Sequence, residues 1–113
     1  MLITKYYQTE GGGQPVKAFI NSLPSEVQTK IRKRLFFLCS RFPDTQGLDT
    51  KHLRGKLWEL RIEYMGNQYR IIFSILIGKM VILHGFMKKQ RRAQHEIEIA
   101  SKRLSDYIQR LKK

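Results

Sequence analysis

The chain has 113 residues, 42% of them hydrophobic, with only 3 Pro and 8 Gly, which excludes a disordered or low-complexity chain and suits one domain over residues 1–113. A single cysteine, Cys39, excludes an intrachain disulfide, no Cys/His spacing of a structural metal site is present, and neither metal nor cofactor is expected. The 22 basic and 9 acidic side chains give a net charge of +13, so a polyanionic partner is expected, RNA or DNA first and an acidic protein second.

Leu2 to Gln8 alternates as a short strand and Gly11-Gly12-Gly13 ends it as a flexible connector. Pro15 opens a first helix with Val16, Phe19, Ile20 and Leu23 at i, i+3, i+4, i+7. A second helix starting between Ser22 and Ser25 carries the stripe Val27, Ile31, Leu35, Leu38 and Phe42, and Pro43 stops it. Its basic residues Lys30, Arg32, Lys33, Arg34 and Arg41 lie mostly off the stripe and read as a solvated face, with RNA or partner contact as the alternative. Asp44 to Thr50 reads as a polar loop. Two strands follow, with Trp58, Leu60, Ile62 and Tyr64 on one face of the first and Tyr69, Ile71, Phe73, Ile75 and Ile77 on one face of the second. A last strand runs from Met80 to Met87, and a helix from about Ala93 to Lys113 has the stripe Ile97, Ala100, Leu104, Tyr107 and Leu111. The order is β-α-α-β-β-β-α: an α+β domain on a small, mainly antiparallel four-stranded sheet, with the two N-terminal helices packed on one face. No run of about 18 uncharged apolar residues and no signal peptide is present, so a cytoplasmic protein with no membrane partner is expected.

Register decides where the charges go, because a one-residue slip exchanges the faces of a strand. A two-residue turn at Gly66-Asn67, or a four-residue turn from Met65 to Gln68, pairs Tyr64 with Tyr69, Ile62 with Ile71 and Leu60 with Phe73. Glu59, Arg61, Glu63, Gln68, Arg70 and Ser74 then share the opposite face, with Arg61 opposite Ile72 and diagonal to Arg70. A turn at Gly78-Lys79 pairs Arg70 with Met87 and sets His84 opposite Phe73, as a core histidine on the apolar face. The second face is thus expected to be a basic sheet floor rimmed by Lys88, Lys89, Arg91 and Arg92, suited to a phosphate backbone. The competing reading pairs Arg61 with Glu59 or Glu63. His95, after the basic run, is a candidate general acid or base.

The stretch Lys51-His52-Leu53-Arg54-Gly55-Lys56-Leu57-Trp58-Glu59-Leu60-Arg61, followed by Tyr69-Arg70-Ile71-Ile72-Phe73, Ile82-Leu83-His84-Gly85-Phe86-Met87-Lys88-Lys89 and Glu96-Ile97-Glu98-Ile99-Ala100, resembles the RelE/ParE toxin superfamily, and most of all its phage-derived, HigB-like branch. The resemblance spans nearly the whole chain. It implies a RelE-like fold and the toxin of a type II toxin-antitoxin pair: a ribosome-dependent mRNA endonuclease that cleaves through the 2′-hydroxyl without a metal. Implied partners are the ribosome, mRNA and a cognate antitoxin, expected to be a helix-turn-helix DNA-binding protein. Arg61, Arg70, Lys88 and Lys89 match the family's basic positions and are expected to bind phosphate, stabilise developing charge and protonate the leaving oxygen. His95 or a lysine of lowered pKa is the expected base, and Lys56, Arg91 and Arg92 the flanking RNA contacts. Ile97 stands where several relatives carry a tyrosine. A ParE-type toxin, which inhibits DNA gyrase without catalysis, is the alternative.

Overall fold

The computed structural model describes residues 1–88 and 93–112. Strand β1 (Ile3–Tyr6) leads through the glycine connector to α1 (Pro15–Asn21), where Pro15 occupies the start that its fixed φ suits, and Val16 and Ile20 turn inward. Helix α2 (Ser25–Arg41) buries Val27, Ile31, Leu35, Leu38 and Cys39, one continuous stripe at helical spacing. It stops at Phe42, whose ψ of 133° leaves the helical region just before Pro43.

The chain then enters β2 (Asp49–His52), β3 (Leu57–Tyr64), β4 (Asn67–Leu76) and β5 (Lys79–Met87), and ends in α3 (Ala93–Leu111). The strands form one five-stranded sheet in the order β1-β5-β4-β3-β2, with β1 parallel to β5 and every other pair antiparallel. The expected four-stranded sheet therefore gains a strand, since part of the presumed loop Asp44 to Thr50 pairs with β3. Asp-Thr-Lys-His has no alternation of apolar residues; what makes it a strand is its hydrogen bonding to β3, a non-local interaction that periodicity does not register.

Both hairpins are shifted from their expected registers. Met65 (φ 52°) and Gly66 (φ 81°) form a two-residue turn with both centres left-handed, the geometry that matches strand twist. Tyr64 thus faces Asn67, Ile62 faces Tyr69 and Leu60 faces Ile71. The offset from expectation is two residues, so every side chain keeps its face. The next turn lies at Ile77-Gly78 instead of Gly78-Lys79, with Leu76 paired to Lys79; Ile77 sits in it fully exposed, off the apolar face. A bulge follows, because Phe73 faces Ile82 but Ile72 faces His84. The extra residue reverses the alternation, so His84 leaves the apolar face it was expected to share with Phe73.

Two apolar layers result. The first unites α1 and α2 with Leu60, Ile62, Tyr69, Ile71, Phe73, Met80 and Ile82. The second unites Tyr7, Leu57, Ile72, Val81 and Leu83 with Ala100, Ile97, Leu104 and Tyr107 of α3. Much of the second face is thus a core under α3 and not an open basic floor. Leu111, at the far end of that helix, is 57% exposed and does not complete the expected stripe. Polar ties fix α3 on the sheet: Tyr7 donates to Asp106 Oδ2 at 2.7 Å, Arg103 donates to the Leu83 carbonyl at 3.0 Å, and Arg110 bonds Asp106 and the Gln8 carbonyl. No helix among the described residues is long and apolar enough to cross a membrane.

Candidate functional site

The cross-strand register lines up three rows of residues on the face that α3 only partly covers. One row is Lys51, Glu59, Ile72 and His84; the next is Asp49, Arg61, Arg70 and Phe86. The third pairs Glu63 with Gln68, whose carbonyl accepts from the Lys88 amide at 2.8 Å. Arg61 and Arg70, expected on one face, are direct cross-strand partners there. Like charges in that position repel.

Glu59 resolves the repulsion. The residue is 3% exposed and its Oε1 accepts from Arg61 Nε at 2.9 Å while lying 3.7 Å from Arg70 Nη1. Arg70 Nη2 donates to Gln68 Oε1 at 3.3 Å. Arg70 itself is 8% exposed, and its Nε has no acceptor among the described residues. A buried guanidinium with a free donor is costly to maintain, and such groups concentrate where a protein acts. The competing reading, which pairs Arg61 with Glu59, is the one the structure realises; the contact of the same carboxylate with Arg70 was not expected from the sequence.

Edge strand β2 changes the electrostatics of the face. Around the arginine pair stand Lys51 and Lys88 but also Asp49, Glu59 and Glu63, a mixed surface instead of a basic floor. Lys88 is exposed at the end of β5, beside the Gln68 row. Lys56 is exposed in the turn before β3, five residues from Arg61, or about 16 Å along a strand, so it is not brought into the cluster. His95 is exposed in the first turn of α3 and makes no hydrogen bond to Arg61 or Arg70. Lys89, Arg91 and Arg92 lie outside the described residues.

His84 belongs to a different arrangement. Arg103 Nη1 donates to its Nδ1 at 3.1 Å, so Nε2 carries the proton and donates to Glu96 Oε1 at 2.9 Å, and Phe86 stacks on the ring at 5.3 Å. Burial, joined by the charges of Arg103 and His95, holds its pKa below the ordinary histidine value against the pull of Glu96. The ring is neutral and ties β5 to α3. Only the bulge brings it to this face, and nothing local in the sequence signals a bulge.

Comparison with curated proteins and with solved structures returns no match. Residues 18–105, a span that includes Glu59, Arg61, Arg70 and Lys88, match the family described as Phage derived protein Gp49-like (DUF891). That family consists of toxin-like proteins of type II toxin-antitoxin systems related to RelE/ParE, which implies an antitoxin partner. With most of its length matched, the chain belongs to the Gp49-like family of phage-derived proteins.

Proposed function

We propose that the protein is the toxin of a HigB-like pair, an endoribonuclease that cuts mRNA in the ribosome with Arg61 and Arg70 at its centre. The observation that carries this reading is the buried, incompletely partnered Arg70 facing Arg61, both oriented by Glu59. The family supports a toxin of nuclease type. In the proposed reaction the 2′-oxygen attacks the adjacent phosphorus, a base takes the 2′-hydroxyl proton, and the P–O5′ bond breaks to leave a 2′,3′-cyclic phosphate and a protonated 5′-hydroxyl. The two guanidinium groups stabilise the charge that gathers on the phosphoryl oxygens, where fixed donors act with little reorganisation. Lys88, exposed beside the Gln68 row, takes the proposed role of supplying the proton to O5′. Lys89 and His95 keep their proposed roles as phosphate ligand and base, and Lys56, Arg91 and Arg92 theirs as flanking RNA contacts. Glu59, bonded to Arg61 and 3.7 Å from Arg70, acts as their counter-ion. A helix-turn-helix antitoxin and a cytoplasmic site of action belong to the same proposal, which calls on no metal.

The test is primer extension on mRNA in programmed ribosomes, in single turnover. Wild type should cut, and Arg70→Ala should lower the rate by on the order of 10²-fold or more while ribosome binding weakens much less. Intact mRNA together with inhibited gyrase supercoiling would replace the nuclease by the ParE-type reading.

A further inference from the structure

From Lys30 to Arg41, α2 carries five basic residues and no acidic one. Opposite its buried stripe lie Lys33, then Phe36 and Phe37 one turn on, then Ser40 and Arg41 one turn further. Phe36 is 60% exposed and Phe37 39%. Neither the fold nor the proposed cleavage uses this face. Among the described residues none of its cations forms an ion pair: Lys30 donates to the Glu63 carbonyl, Arg32 to the side chains of Gln28 and Asn21, and Arg41 to the Gln46 carbonyl.

We infer that the outer face of α2 docks an acidic, amphipathic helical segment of a protein partner. Apolar side chains of that segment cover Phe36 and Phe37, and its carboxylates meet Lys33 and Arg41. Charge complementarity selects an acidic partner, and the rings select protein over RNA. Phe36 and Phe37 stand 6.1 Å apart at 56°, and the Arg41 guanidinium lies 5.6 Å from the Phe37 centroid, so the pair offers no flat, open platform on which a base could stack. An apolar side chain needs no such platform. Lys33 and Arg41 are about 12 Å apart along the axis, which sets the pattern of the partner: acidic groups flanking an apolar stripe about two turns long. This inference goes beyond the nuclease reading and does not depend on it, because docking requires no cleavage.

The experiment titrates the full chain with an end-blocked peptide of about 16 residues, long enough to populate a helix, with a leucine stripe between glutamates. A shuffled peptide of equal composition and a single-stranded RNA of equal charge serve as comparison probes. Fluorescence anisotropy reads affinity, and amide shifts of the wild-type chain read location without any variant. The ordered peptide should shift α2 amides. Phe36→Ser with Phe37→Ser, and separately Lys33→Glu with Arg41→Glu, should each weaken it by about tenfold or more, or about 1.4 kcal/mol. RNA affinity should ignore the serine pair. Equal binding of ordered and shuffled peptides, shifts confined to the sheet face, or RNA affinity that falls with the serine pair while peptide affinity does not would overturn the inference.

Discussion

Glu59→Ala is expected to weaken the fold and slow cleavage while tightening the hold on RNA. Removing one partner of a fully buried ion pair typically costs about 3–5 kcal/mol, because the other charge is left unpaired. Two features lower the figure here. The Arg61 side chain is 31% exposed, so water takes over part of its solvation, and Arg70 lies 3.7 Å from the carboxylate and keeps its bond to Gln68. A loss of about 2 kcal/mol follows, which at roughly 4 °C per kcal/mol for a domain of this size lowers Tm by about 8 °C. Glu59→Gln keeps an acceptor for Arg61 Nε and should lose about half as much. The functional signature has the opposite sign in binding. Taking a negative charge from the mixed surface around the two arginines strengthens attraction to phosphate. The two guanidinium groups, no longer held in register, should lower the single-turnover rate on the order of tenfold. Thermal melting by circular dichroism, filter binding to RNA and ribosome-coupled cleavage measure the three effects. If Glu59→Ala melts with wild type, Glu59 is not the counter-ion of the pair; if RNA affinity falls in step with the rate, it does not act by orientation.

His84 gives a pH dependence of defined sign. Burial chiefly depresses its folded-state pKa, so the stability tied to the neutral ring is present above the unfolded value of about 6.5 and lost as pH falls below it through the folded value. Melting from about pH 7.5 to 5.5 should show wild type losing more stability than His84→Gln, and parallel profiles would rule this coupling out. At Gly85 an added Cβ would stand 2.7 Å from Phe19 Cδ2 and 3.1 Å from Ile71 Cδ1, so Gly85→Ala should cost about 1–3 kcal/mol in urea unfolding. Joining it to Phe19→Ala should cost less than the two changes summed, and strict additivity would place the clash elsewhere. If Arg61, Arg70 and Lys88 each neutralise one phosphate of single-stranded RNA, affinity should drop about 20-fold between roughly 50 and 200 mM salt. A flat response argues against contact through these cations.

Helices α1 and α2, the alternation in β3 and β4, and the presence of Arg61 and Arg70 on one face were all legible in the residues. Each depends on a local period, 3.6 or 2, that an even slip of register leaves intact: the hairpin moved by two residues and both arginines stayed where the pattern put them. Burial of Ile72 on the face opposite Ile71 and Phe73 comes from α3, a contact that the alternation of β4 does not show. The rest depended on contacts between distant segments. Polar β2 exists because β3 offers it hydrogen bonds, and it brings Asp49 and Lys51 beside the arginines. The bulge that hands His84 to Glu96 and Arg103 arises where β4 and β5 fall out of step. Arg61 meets Glu59 two residues away, within one strand, but Arg70 reaches the same carboxylate only from across the hairpin. Backbone periodicity is written residue by residue along the chain, whereas the charge balance and partners of a site depend on which distant strands and helices pack together.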